Sequence, residues 1–177
     1  MTPASPPPPT SSVSAQRWVV MGVCGCGKST VGTELANRLG TRFIEGDRFH
    51  PAENVAKMSA GFPLDDADRA GWLQALASEI AQARERNEGL VVSCSALKRR
   101  YRDLLRQADP GLRFAHLQGP RELIADRLGK RTDHYMPPAL LDSQLRDLEP
   151  LYDDEGGLRL DIAIPPAKLV ERILGQK

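Results

Sequence analysis

Residues 22–29 read GVCGCGKS and match G-x-x-x-x-G-K-[ST], the spacing with which a short Gly-rich loop wraps a phosphate group. Gly25 and Gly27 permit backbone turns that aim successive N–H groups at one anion, and a helix starting at the lysine adds the positive end of its dipole. Lys28 is then placed to reach the β- and γ-phosphates of ATP, and Ser29 to offer its hydroxyl to Mg2+. Gly22, Val23, Cys24, Cys26 and Thr30 complete the nucleotide-binding set. A thiol beside phosphate and a helix start is open to activation or oxidation. Small side chains that clear the phosphate explain Cys24 and Cys26 equally well.

A second group with chemical potential is Glu45-Gly46-Asp47, followed by His50. Asp47 is the candidate base that orients an acceptor hydroxyl and takes its proton, and Glu45 the candidate holder of Mg2+ through water. The same spacing also fits a solvated acidic turn, and His50 also fits a structural residue at a helix entry. Lys57 is a further candidate contact for a carboxylate or hydroxyl, whereas Met58 and Phe62 read as packing residues. Ser93 to Ala96 place small residues at a strand end, so Ser95 joins the candidate acceptor pocket. Lys98 and Arg102 are four apart at a helix start, where cations oppose the dipole unless an anion compensates. A substrate carboxylate would supply that anion; a solvated basic face through Arg99 and Arg100 is the alternative. Arg127 and Arg131, also four apart, can converge on a transferring phosphoryl group if the polar segment at about 129–137 closes as a lid and excludes water. For each of them an exposed helix surface is the other reading.

These residues need a scaffold that brings strand ends to one edge. Short apolar runs at 18–21, 42–45, 90–94, 113–117 and 158–162 alternate with helical patterns at 28–39, 65–86, 98–107, 120–128, 138–148 and 167–174. That alternation predicts an α/β fold with a parallel sheet and crossover helices. Trp72, Leu73, Leu76 and Ile80 mark the buried stripe of the longest helix. Residues 1–16, rich in Pro, Ser and Thr, have too little to bury and are expected to be a disordered tail ahead of a single domain at 17–177.

Lys plus Arg total 24 against 23 Asp plus Glu, which speaks against a nucleic-acid backbone as partner. Three cysteines without paired CxxC spacing indicate neither a disulfide framework nor zinc, and reduced thiols in the cytoplasm follow. There is no apolar run of membrane-spanning length and no export signal, so no membrane partner is expected. A phosphate loop fixes nucleotide use and leaves the acceptor open. GTPases need an NKxD-like segment and motor ATPases an apolar run ending in Asp, and neither is present.

With these residues in view, the chain resembles the gluconate kinases, relatives of shikimate kinase and the nucleoside monophosphate kinases. The resemblance runs through EGDRFHPAENVAKMSAGFPLDDADRAGWL at 45–73, VVSCSALKRRYRDLLR at 91–106, HLQGPRELIADRLGKR at 116–131 and HYMPPALLDSQLRDLEP at 134–150. It implies ATP-dependent phosphorylation of D-gluconate on its 6-hydroxyl. It also implies a three-layer α/β/α P-loop fold with a five-stranded parallel sheet in the order 2-3-1-4-5, a helical lid, and a cytoplasmic homodimer. By resemblance alone, His134 and Gln144 join the substrate contacts. The chain departs from the family at Asp133-His134-Tyr135, where Gly-His-Phe is common. A shikimate-like or nucleoside monophosphate kinase, and a nucleotide-binding regulator without phosphotransfer, are the competing readings.

Overall fold

The run Trp18-Val19-Val20-Met21 has no polar side to turn toward water, so it needs cover on both faces. In a computed structural model, in which residues 15–131 and 137–176 are described, it forms the central strand β1 (Arg17–Met21), every residue of it buried. The chain continues through α1 (Lys28–Leu39), β2 (Arg42–Glu45), a 3-10 turn (Gly46–Phe49), α2 (Ala52–Ser59), α3 (Asp66–Glu85), β3 (Leu90–Ser93) and α4 (Arg99–Ala108). It then forms β4 (Arg113–Gln118), α5 (Arg121–Gly129), α6 (Pro138–Asp147), a second 3-10 turn (Asp153–Glu155), β5 (Gly157–Asp161) and α7 (Pro166–Leu174). The strands make one sheet in the order β2-β3-β1-β4-β5, all neighbours parallel. This is the order that the resemblance implies.

Because successive side chains of a strand point to opposite faces, β1 feeds two cores. Trp18 and Val20 pack with Val31 and Leu35 of α1 and with Leu169, Val170 and Ile173 of α7. Val19 and Met21 pack with Trp72, Leu76 and Ile80 of α3 and Tyr101 and Leu105 of α4. Leu35 and Leu76 are wholly buried, and burial of each is worth roughly 1.5–3 kcal/mol. The parallel register aligns Val20 and Glu45 with Ser93, and Met21 with His116, so the carboxyl ends of these strands share one edge. Among the described residues no helix is long and apolar enough to cross a membrane.

The expected and observed elements agree within a residue or two, and the differences have local causes. Gln16, the last residue of the expected tail, stands just before β1, and its carbonyl accepts the Leu90 N–H at 3.1 Å. Residues 1–14 lie outside the described residues. Asp65 stands just before α3 as a cap: its carboxylate accepts the Asp68 N–H at 2.8 Å, and Asp68 accepts the Asp65 N–H at 2.9 Å. The turn Asp153–Glu155 carries no apolar periodicity and had no signal in the sequence.

His116 of β4 is 1% exposed, and neither ring nitrogen finds a hydrogen-bond partner among the described residues. Burial, followed by the charges of Arg102 and Arg159, lowers its pKa from 6.5 to about 4, against a smaller opposing pull from Glu155. The folded state therefore holds His116 neutral while the unfolded chain takes up a proton below about pH 6.5. Stability from this group is complete above pH 6.5 and is lost as pH falls toward 4, by about 3 kcal/mol in all. Urea unfolding across that window should show this slope, and His116→Leu should remove about that much of the pH dependence; an unchanged slope in the variant would place the effect elsewhere.

Candidate active site

The phosphate loop links β1 to α1, and its glycines carry the left-handed angles that the motif requires: φ is 95° at Gly27, which precedes the helix. Among the described residues no side chain caps α1 there, and the positive end of its dipole lies at the loop. Lys28 folds back, donating from Nζ to the Val23 carbonyl at 2.9 Å. Burial, the largest influence, opposes its charge, but the electrostatic influence of Cys26 and then of Asp47 outweighs it and raises its pKa, so Lys28 stands as an ammonium ion. The Cys24 N–H donates to Gln144 Oε1 at 2.8 Å, which brings α6 onto the loop.

Three strand ends meet beside the loop. Ser29 Oγ donates to Glu45 Oε2, and Ser93 Oγ donates to Glu45 Oε1 at 2.6 Å while accepting the Gly46 N–H at 3.2 Å. Gly46 can be nothing larger, since a Cβ there would lie 2.0 Å from the Ser93 carbonyl oxygen. Its own carbonyl accepts Trp72 Nε1–H at 2.8 Å. Asp47 follows in the 3-10 turn with its side chain exposed at this edge. Ser29 and Glu45 are hard oxygen donors already in contact, a pair suited to Mg2+, which keeps several waters and takes few protein ligands. Ser93 was legible only as a small strand-end residue; its role in aiming Glu45 depends on a register that pairs the two across β2 and β3.

His50 stacks on Trp72 with ring centres 4.1 Å apart. Its Nδ1 lies 3.2 Å from Asn54 Nδ2, an amide nitrogen that also donates to the Asp68 carbonyl at 2.8 Å. Nδ1 is therefore the acceptor and Nε2 bears the proton. Burial, the largest influence, lowers the His50 pKa and keeps the ring neutral. Lys57 forms an ion pair with Asp68 at 2.6 Å that tethers α2 to α3. Phe62, expected to pack, is 61% exposed.

The β3–α4 loop places Ser95, whose carbonyl accepts the Gly22 N–H at 3.3 Å, and Lys98, which pairs with Asp66 at 3.1 Å. Arg102 corrects the expectation that it meets a substrate carboxylate. Its side chain is fully enclosed, bonded to Glu155 at 2.8 and 2.9 Å and to the carbonyls of Ala96, Leu97, Glu149 and Pro150. The anion demanded by a cation near a helix start is present, but the protein supplies it. Arg69 is a residue that sequence reasoning missed. It is 6% exposed, donates to the Tyr101 hydroxyl at 3.1 Å and pairs with Asp147 at 3.4 Å. Its signal was its position three and four residues before Trp72 and Leu73, a cation on the buried stripe of α3.

On the other side of the loop, Arg127 and Arg131 line a cleft of about 210 Å³ with Gly25, Gly27, Thr30, Ile162, Ile164, Pro166 and Leu169. Arg127 donates to the Ile162 carbonyl at 2.7 Å. His134 and most of the expected lid lie outside the described residues. Burial pushes the Cys24 thiol up to about 11 and Cys94 to about 12, which disfavours the thiolate form at each.

A family model described as Shikimate kinase matches residues 24–174. The chain is similar to a gluconokinase of Gluconobacter oxydans (strain 621H), 47% identical over 156 residues, with 88% of each chain covered. It is 40% identical over 161 residues to the thermosensitive gluconokinase of Escherichia coli (strain K12), covering 90% of this chain and 86% of that one. The solved structure of a gluconokinase from Sinorhizobium meliloti 1021 superposes with a TM-score of 0.83 at 46% identity, covering 91% and 90% of the two chains.

Cutting Arg102 back to Met leaves Glu155 charged in a closed site. A loss of about 3–5 kcal/mol in unfolding free energy is expected from urea midpoints. A variant that unfolds like the parent while losing affinity only for an acidic ligand would return Arg102 to the binding surface.

Proposed function

We propose that this chain, which belongs to the shikimate kinase family and within it to the gluconokinases, transfers the γ-phosphoryl group of ATP to the 6-hydroxyl of D-gluconate. The hydroxyl oxygen forms the new P–O bond, the bond to the β-phosphate bridging oxygen breaks, and ADP leaves. The acceptor proton passes to the Asp47 carboxylate. The observation that carries this reading is the oxygen chain Ser29–Glu45–Ser93, which joins the phosphate loop to the ends of β2 and β3 one residue from Gly46-Asp47.

In this reading Lys28 and the open N–H groups of α1 hold the γ-phosphate, while Arg127 and Arg131 meet the charge that spreads over its oxygens. Ser29 and Glu45 would hold Mg2+, which would supply charge neutralisation to the nucleotide phosphates. Ser95, His50 and Lys98 face the acceptor, with Arg69 and Tyr101 behind Lys98. Gln144 acts on the phosphate loop rather than on the acceptor, as its bond to the Cys24 N–H suggests. Segment 129–137, with His134, serves as the lid that closes over the transfer. The family reading carries with it a cytoplasmic homodimer, which sedimentation of the purified protein tests.

Coupled ADP release with ATP and Mg2+ should be strong with gluconate and near background with shikimate, glycerate, AMP or no acceptor. Preference for another acceptor would leave the phosphate loop as argued and overturn the acceptor pocket, and ATP binding without turnover would favour a regulator. Asp47→Asn should lower kcat by about 10²–10⁴ with little change in ATP affinity; equal losses in both would make Asp47 structural. Lys28→Ala should abolish turnover while the fold survives, and near-normal activity would remove the mechanism.

A further inference from the structure

Asp66, the first residue of α3, holds an unusual position. Its carboxylate is shared by three groups from the start of α4: Lys98 Nζ at 3.1 Å, the Arg100 guanidinium and the Tyr101 hydroxyl. Arg69 donates to the same hydroxyl, and Arg69, Lys98 and Arg100 lie 5.6, 5.8 and 5.7 Å from the centre of the Tyr101 ring. The start of α3 does not need Asp66 for its own capping, because Asp65 and Asp68 already form a reciprocal pair there. What the contact does is occupy a cluster of cations.

The contact is also open. The Asp66 side chain is 44% exposed and that of Lys98 22%, whereas Arg102, one helical turn on from Lys98, and its partner Glu155 are both closed off at 0%. Breaking a closed pair strands a charge in the interior, but Asp66 released from Lys98 and Arg100 passes into water at little cost. An incoming carboxylate can therefore take its place.

We propose that Asp66 holds, in the ligand-free protein, the position that the acceptor's carboxylate takes on binding, so that Lys98 and Arg100 exchange one carboxylate for another. The proposal rests on the reading that the acceptor is a sugar acid. Two consequences follow from the exchange. The affinity gained from the cations is only the difference between two similar bonds. A neutral polyol of the same length has nothing to offer them, so the cluster stays closed to it and the competition itself favours acids.

The test is calorimetric binding of D-gluconate and of D-glucitol, its neutral counterpart, to the full chain without nucleotide. Asp66→Asn removes the competing charge and keeps the Asp65–Asp68 cap. It should tighten gluconate by about three- to tenfold, the scale of one or two exposed ion pairs, and leave glucitol unchanged. In a Lys98→Gln background the same substitution should give less than about a twofold gain. Asp66→Ser should behave alike, and melting curves of each variant show whether α3 is intact. Gluconate binding that is equal or weaker in both Asp66 variants at an unchanged melting temperature would overturn the proposal. So would a full gain that persists without Lys98, since that signals general charge repulsion rather than exchange. Gluconate failing to bind the parent chain would overturn the sugar-acid reading and this proposal with it.

Discussion

Arg102 and Glu155 face each other with no access to water, and the acceptor side of the molecule is built around that fact. Each ion costs several kcal/mol to desolvate, so the pair persists only because every polar valence around it is filled. Glu155 receives two bonds from Arg102, one from Arg106 at 2.5 Å and the Tyr152 N–H at 2.8 Å. Burial raises the Glu155 pKa, but these donors outweigh it and hold the value near 2. Nη1 of Arg102 donates to the carbonyls of Ala96, Leu97 and Glu149, and Nη2, which also bonds Glu155, to that of Pro150, so four carbonyls from two otherwise irregular segments are fixed. One of them belongs to Ala96, whose φ of 45° is costly for a residue with a Cβ. A buried ion pair thus stabilises the bend from which Ser95 and Lys98 are presented, and Arg102 acts on the site through that bend without touching it.

The phosphate loop is held by the opposite kind of bond. Lys28 rests on a carbonyl of its own loop and Gln144 takes one loop N–H, each by a single contact at a partly exposed position. A phosphate can replace either contact without leaving an unpaired group in the interior, because the loop and its lysine stay in reach of solvent and ligand. The two arrangements differ in enclosure. Polar groups that shape the site are enclosed and multiply bonded, as with Arg102, Glu155 and Asn54. The polar groups of the phosphate loop, Lys28 and the Cys24 N–H, are half-open and bonded once.

Much of this was legible in the amino-acid sequence, for reasons that differ by feature. The phosphate loop could be read because its function depends on backbone angles that only a fixed glycine spacing supplies, and the strands because their apolar runs are short and continuous. Strand order came from resemblance, since no local pattern states which strand lies beside which. Arg102 was misread because an i, i+4 pair of cations looks the same whether the compensating anion is a ligand or a distant glutamate. Glu155 sits in a short acidic turn with no periodicity, so nothing near Arg102 in the chain announced it. Arg69 escaped, and Ser93 was read only as a small strand-end residue, for a related reason: their meaning lies in what the fold sets opposite them.

The start of α4 shows how far residue type alone falls short. Lys98, Arg99, Arg100 and Arg102 crowd a helix end whose dipole repels them, and the protein answers with carboxylates from three other segments. Glu149 accepts the Arg99 N–H at 2.8 Å and so caps the helix from a distance. Asp154 takes the Arg99 guanidinium at the surface, and Glu155 takes Arg102 in the interior. Asp66 takes Lys98 and Arg100 at a half-open position. By charge these pairs are equivalent. Burial separates them, because an enclosed carboxylate cannot leave, while one bound only to solvent-exposed cations gains little from staying or going. Of these carboxylates, Asp66 alone is bound to Lys98, the cation at the end of the β3 loop, and it is also open. Both conditions are needed for an ion pair to give way to a substrate.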